Sequence, residues 1–253
     1  MVRVLLVVGS SRGGGAAHVR DLALGLERSR YTVGVVMPAD GGQVSPEALR
    51  DAGVPCHALP LHAGPSAQAF RALRGLVAET DLLHVHGPRA AMWGRLAALR
   101  LGVRRPAVLY TVHALAAPHY AWPRSTALLG MERALAQGTD RFIAVCEGQR
   151  EALVAAGITE PERISMVYNG VDTSRFAPRD DGGAARRAVR SALGISPEAP
   201  LATMVCRLYR PRDFETLLVA FRQLRETLPA ARLLIVGEGP DRPKVEELVA
   251  GLW

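Results

Sequence analysis

The sequence predicts an α/β fold built on a doubly wound parallel sheet, followed by an incomplete second unit of the same kind. Three observations carry this. Short apolar runs rich in Val, Leu and Ile alternate with segments of helical period, as in sheets buried on both faces. The alternation pauses once, in a Pro/Asp/Gly cluster at 177–185, and then restarts. The chain has 253 residues, 49% hydrophobic and 22% charged, enough for a sizeable core and unlike a long disordered chain.

Residues 4–8 read as a buried strand ended by Gly9-Ser10, and Gly13-Gly14-Gly15 follows. Residues 16–26 then read as a helix, with Val19, Leu22, Ala23 and Leu26 on one face. Further strands are predicted at 32–37, 82–85, 107–112, 141–145 and 164–167, and helices at 67–78, 90–101, 126–136 and 148–155. Past the pause come a helix at 186–193, a strand at 201–205, a helix at 214–227, a strand at 232–236 and a helix at 242–249. The expected division is a first domain over 1–178, a linker over 179–195 and a partial second domain over 196–253. So short a second stretch of strands is small for a doubly wound domain, so the chain is expected to stop inside it.

The net charge is +7, and Lys244 is the single lysine among 31 basic residues. This permits an anionic partner, whether nucleotide phosphate, acidic membrane surface or nucleic acid, without choosing among them, and a merely soluble basic surface is the alternative. No recognition helix, zinc finger or interleaved aromatic-basic pattern is present, so nucleic acid is not expected. Cys56, Cys146 and Cys206 are odd in number and far apart, which argues against disulfides and fits a reducing, cytoplasmic location. The apolar run 4–8 is too short for a signal-peptide core or a membrane span.

Three groups of residues suggest chemistry. Gly13, Gly14 and Gly15 lie between a strand and a helix, where backbone N–H groups and the helix dipole favour an anion. Neither a GxGxxG fingerprint nor a P-loop is present, and a structural tight turn is the alternative. His84, His86 and His113 lie at strand ends, the side of a parallel sheet that meets ligands, with His84 and His86 on one face. No acidic residue lies near them in sequence, so no metal site is expected. Arg207 and Arg212 lie in a strand-to-helix loop, where guanidinium forks suit a diphosphate; a solvated basic loop, with Arg210, is the alternative.

The chain resembles the retaining glycosyltransferases of family 4 in four segments. These are Gly13-Gly14 with His18-Val19 and Leu22-Ala23; Thr111-Val112-His113; Val167-Tyr168-Asn169-Gly170-Val171-Asp172 with Arg175-Phe176; and Arg207-Leu208 with Arg212, then Leu217-Leu218, Ala220-Phe221 and Leu234-Ile235-Val236-Gly237-Glu238-Gly239-Pro240. They occur in family order along nearly the whole chain. The resemblance implies a GT-B fold, with two Rossmann-like domains facing across a cleft. It implies transfer of a sugar from a nucleotide-diphosphate sugar to a hydroxyl on a glycan or lipid-linked acceptor, in cell-envelope or exopolysaccharide synthesis, with no cofactor. His113 would sit by the transferred sugar as the catalytic candidate, and Gly13 and Gly14 would approach the donor. Arg207 and Arg212 would clamp the diphosphate, with His86 and Asn169 near the cleft.

The sequence departs from the family at Cys206, where glycine is common, at Arg212, where lysine is usual, and at Cys146, where serine is frequent. Glu238 and Glu246 have E-x7-E spacing but lie in and after the Gly-Glu-Gly-Pro turn, so the spacing reads as coincidence. An inactive fragment or non-catalytic binding module is the alternative function. A GT-B epimerase or a nicotinamide-dependent enzyme ranks below both. Helix 67–78, the aromatic loop 118–123 and Arg100, Arg104 and Arg105 suggest peripheral contact with the inner membrane face, against an ordinary helix packed on its sheet.

Overall fold

The computed structural model describes residues 1–61, 66–115, 123–178, 183–209 and 212–252. The aromatic loop residues 118–122, the linker residues 179–182, Arg210 and Trp253 lie outside the described residues. The chain forms two compact units, Met1–Gly170 and Val171–Trp253.

The first unit is a seven-stranded parallel sheet. Its strands are β1 (Val2–Val8), β2 (Tyr31–Met37), β3 (Cys56–Ala58), β4 (Leu82–His86), β5 (Ala107–Val112), β6 (Arg141–Ala144) and β7 (Ile164–Met166), in the spatial order β3-β2-β1-β4-β5-β6-β7. Its helices are α1 (Gly13–Gly25), α2 (Pro46–Asp51), α3 (Ala67–Ala78), α4 (Pro88–Leu99), α5 (Arg124–Ala136) and α6 (Glu147–Ala155). The α/β class with a doubly wound parallel sheet is therefore the observed one. Sequence patterning missed α2 and β3, both too short to show a period. The signal for α2 was its start: Ser45 caps it, its hydroxyl accepting from Ala48 N at 3.0 Å, with Pro46 in the first turn. Gly13, Gly14 and Gly15 are also not a loop before α1 but its first turn.

Alternation along β1 shows how both faces are covered. Val4, Leu6 and Val8 pack with Ala16, Val19 and Ala23 of α1 and Leu49 of α2. Leu5 and Val7 pack on the other face with Leu73 and Val77 of α3 and Ala90, Ala91, Ala97 and Ala98 of α4. Each fully buried Val or Leu contributes about 1.5–3 kcal/mol relative to exposure. The small residues of α4 let it lie close on the sheet. A Cβ at Gly94 would come within 2.6 Å of Val85 Cγ1. On the same face Arg95 is fully buried. Its Nη2 donates to Glu132 Oε2 at 2.6 Å, its Nε donates to Ala91 O, and its guanidinium lies over the Tyr110 ring. This ties α4 to α5 and β5.

The apolar side of α3 is used in the same layer: Ala69, Leu73 and Val77 are buried, Phe70 packs edge-on to Trp93, and Arg71 and Arg74 are exposed. Among the described residues no helix is long and apolar enough to cross a membrane.

The second unit contains α7 (Ala184–Ala192), β8 (Leu201–Val205), α8 (Phe214–Thr227), β9 (Arg232–Val236) and α9 (Arg242–Leu252), with β8 and β9 parallel. Helix α7 falls within the stretch read as a linker. The unit's core is Leu208, Phe214 and Val245, flanked by Met204, Cys206, Ile235 and Leu248. The Gly237-Glu238-Gly239-Pro240 turn is pressed onto the strand β8 exit. Leu208 N donates to Glu238 O at 2.9 Å, and a Cβ at Gly239 would lie 2.0 Å from Leu208 O. Only glycine fits there.

Candidate functional site

The winding of the sheet reverses at β1, which has β2 on one side and β4 on the other. Ligands of open α/β sheets bind beyond the carboxyl ends of the strands at such a switch point. Here β1 ends at Val8, paired in register with His86 at the end of β4, and His86 is in turn opposite Thr111 of β5. Leu83 and Val85 point into the α3/α4 layer, so His84 and His86 point toward α1, which supplies His18.

The result is a stack of imidazoles. The His84 and His86 ring centroids are 4.1 Å apart, those of His86 and His113 are 5.6 Å apart, and His18 lies 5.4 Å from His86 and 5.1 Å from His113. His84 Nε2 is hydrogen-bonded with Thr111 Oγ1 at 2.7 Å, and His86 Nδ1 faces His113 Nε2 at 3.4 Å. Burial pushes His113 down to about 4 and His84 to about 3, the neighbouring histidines adding repulsion. Burial holds His86 well below its ordinary range for the same reasons. It lowers His18 too, against the pull of Asp21. The cluster is therefore neutral at pH 7, able to donate one N–H per ring and accept at the other nitrogen.

The glycine turn abuts this cluster. A Cβ at Gly15 would lie 3.7 Å from the His113 ring, and Gly13 has φ +80°, where a side chain is strained. No side chain caps α1 and no acid occupies its first turn, so the positive end of the helix dipole is not offset there. A second loop holds this turn in place. The buried Ser11 hydroxyl bonds Asp40 and accepts from Gly42 N at 2.8 Å, Arg12 Nη2 donates to Asp40 O, and Gln43 Nε2 donates to Gly13 O. Sequence reasoning missed Ser11, Asp40 and Gly42, because their partnership spans about thirty positions with no local period. It quoted His18 among the resembling residues without making it a site residue. Its place one turn past Gly14 was the available signal.

Asn169 is exposed in the coil after β7, two strands out from β5, and is not part of the imidazole stack. In the second unit Arg207 is exposed, with its guanidinium over the Tyr209 ring at 5.0 Å. Arg212 instead lines a cavity of about 330 Å³ with Lys244, Asp213, Glu215 and Asp241, a mixed rather than purely cationic lining. Arg207 does not line that cavity. Glu238 and Glu246 both pair with Arg242, at 2.5 and 2.8 Å, a structural use for the two carboxylates.

The sequence profile described as Glycosyltransferase Family 4 matches residues 12–175, which takes in the glycine turn, His18 of α1, the three strand-end histidines and Asn169. The chain belongs to glycosyltransferase family 4. It is 28% identical over 170 residues to the UDP-Gal:alpha-D-GlcNAc-diphosphoundecaprenol alpha-1,3-galactosyltransferase of Escherichia coli, covering 63% of this chain and 41% of that protein. It is 32% identical over 235 residues to the GDP-mannose-dependent alpha-mannosyltransferase of Mycobacterium tuberculosis (strain CDC 1551 / Oshkosh), covering 87% and 58%. The chain thus spans about half the length of these curated relatives. Its fold matches the solved structure of Anabaena Alr3699/HepE in complex with UDP and glucose, with TM-score 0.80 and 19% identity, over 100% of this chain and 66% of that one.

Proposed function

We propose that this chain serves retaining glycosyl transfer from a nucleotide-diphosphate sugar to a hydroxyl acceptor, in the synthesis of cell-envelope or exopolysaccharide glycans. The observation that carries the reading is the neutral imidazole of His113 beside the glycine turn of α1, at the sheet's switch point. His113 hydrogen-bonds a hydroxyl of the transferred sugar without adding a charge. The Gly13–Gly14 backbone at the start of α1 approaches the donor's sugar or phosphate. Arg207 and Arg212 supply fixed positive charge to the departing diphosphate, with no cofactor required. His86 backs His113, and Asn169 belongs to the acceptor side. The two relatives above, named for UDP-Gal and GDP-mannose, support a nucleoside diphosphate leaving group.

Calorimetric titration of the chain with UDP, GDP and their sugars tests this. Saturable binding weakened about tenfold by Arg212→Ala, the loss of about 1.4 kcal/mol expected for one charge-assisted contact, supports the reading. A folded chain that binds none of them overturns it for this chain and leaves a non-catalytic module. The same proposal includes peripheral contact with an anionic membrane carrying a lipid-linked acceptor. It rests on the exposed Arg71 and Arg74, because the apolar side of α3 is spent on the core. Flotation with anionic liposomes at low salt checks it, and a chain left wholly in the soluble fraction rejects it.

A further inference from the structure

We infer that Ser11, Asp40 and Gln43 are positioning residues, which set the strength of donor binding by holding the glycine turn in one conformation. This rests on the donor reading above, since the turn is there assigned to the donor. It goes further in giving a role to residues that act only through the turn.

Gly13, Gly14 and Gly15 are consecutive, and glycine loses more backbone freedom on ordering than any other residue. As the first turn of α1 they also present N–H groups with no acceptor inside the helix. A ligand that must order such a turn binds more weakly than one that meets it already ordered. Helix formation does not supply that order at Gly13, whose φ of +80° departs from the helix it opens.

The segment between β2 and α2 supplies it from both ends of the turn. Upstream, Ser11 is 1% exposed and fully engaged. Its hydroxyl bonds Asp40 Oδ1 and accepts from Gly42 N at 2.8 Å. Its N–H donates to Asp40 Oδ1 at 3.3 Å, and its carbonyl accepts from Val44 N at 3.2 Å. A Cβ at Gly42 would run into the Ser11 hydroxyl and carbonyl, so this approach requires glycine there. Within the turn, Gln43 Nε2 donates to Gly13 O at 3.2 Å. In a trans peptide the Gly13 carbonyl and the Gly14 N–H point in opposite directions. Holding the carbonyl toward Gln43 therefore aims the Gly14 N–H away from this segment. Gln43 is exposed, so its contact with the turn can be removed without opening the core.

Two measurements on the whole chain test the inference. NMR relaxation of the Gly13, Gly14 and Gly15 amides reads their order without any ligand. Calorimetry with UDP-galactose and GDP-mannose reads binding. In the unaltered chain the three amides should be rigid, with order parameters of about 0.85. Gln43→Ala and Asp40→Ala should lower them toward about 0.6. Each should weaken whichever nucleotide sugar binds by about threefold to tenfold, the loss expected for one hydrogen bond. Gln43→Ala should keep the melting midpoint of the unaltered chain. Asp40→Asn retains the Oδ1 acceptor and should behave as the unaltered chain does in both measurements. Mobile amides in the unaltered chain, order that survives both alanine substitutions, or undiminished affinity in those variants overturns the inference. An unaltered chain that binds neither nucleotide sugar defeats the donor reading instead, and the relaxation measurement then decides the role of the three residues by itself.

Discussion

The two units are written in the same alternation of strand and helix, yet they bury their strands differently. In the first, Leu6 and Val7 of β1 are fully buried, with a hydrophobic cluster on each face of the sheet. In the second, Val205 at the end of β8 is 77% exposed and Val236 at the end of β9 is 43% exposed. Alternation specifies strands and helices, but full burial requires neighbouring strands and a helix layer on both faces. The chemistry follows the same division. The first unit carries buried imidazoles whose proton affinity the fold has lowered. The second carries exposed guanidinium groups, whose charge is the same wherever they lie.

The largest contrast lies in ion pairs. Glu132→Ala leaves the buried Arg95 without its partner and should cost about 3–5 kcal/mol in a urea melt followed by Trp93 fluorescence. If the loss is under about 1 kcal/mol, the α4–α5 clamp does not hold the first unit together.

Next is acid sensitivity. His84 binds its proton at about 3 when folded and near 6.5 when unfolded, so the unfolded chain binds more protons in between. Stability should therefore fall as pH drops from about 6.5 toward 4, by about 1.4 kcal/mol per pH unit for each such histidine. Melting the protein across that range measures the slope. His84→Gln should flatten it, and an unchanged slope would show that the burial of His84 does not control it.

Packing gives a smaller effect. Gly94→Val forces α4 off Val85 and should cost about 1–3 kcal/mol, read from the same melts. The smallest is expected in the second unit. Glu238 and Arg242 are both solvent-exposed, so Glu238→Ala should leave the melting midpoint unchanged. A clear shift there would mean that the turn at Gly237–Pro240 depends on charge as well as on its glycines.

Much of both units was legible because most of their strands and helices are long enough to show a composition or a period. β5, α3, β8, α8 and β9 have the same bounds in sequence and structure. Strand β3, with three residues, has no period to read, and α2 announced itself only by Ser45-Pro46. The glycine turn was visible as glycines, but not as the first turn of a helix. The strand-end histidines His84, His86 and His113 were visible too, but not that His18 of α1 joins them. His18 belongs to them through the packing of α1 on the sheet, a relation across 68 and 95 positions that no local period records.

The sequence by itself determined the alternation of elements, the membership of a family and the residue types available for chemistry, because these are local or compositional properties. The tertiary structure alone decided which imidazoles meet, which of them stay neutral, and which loop holds the glycine turn. Those outcomes depend on strand order, burial and the close approach of side chains far apart in the chain. These arise only once β1 stands between β2 and β4.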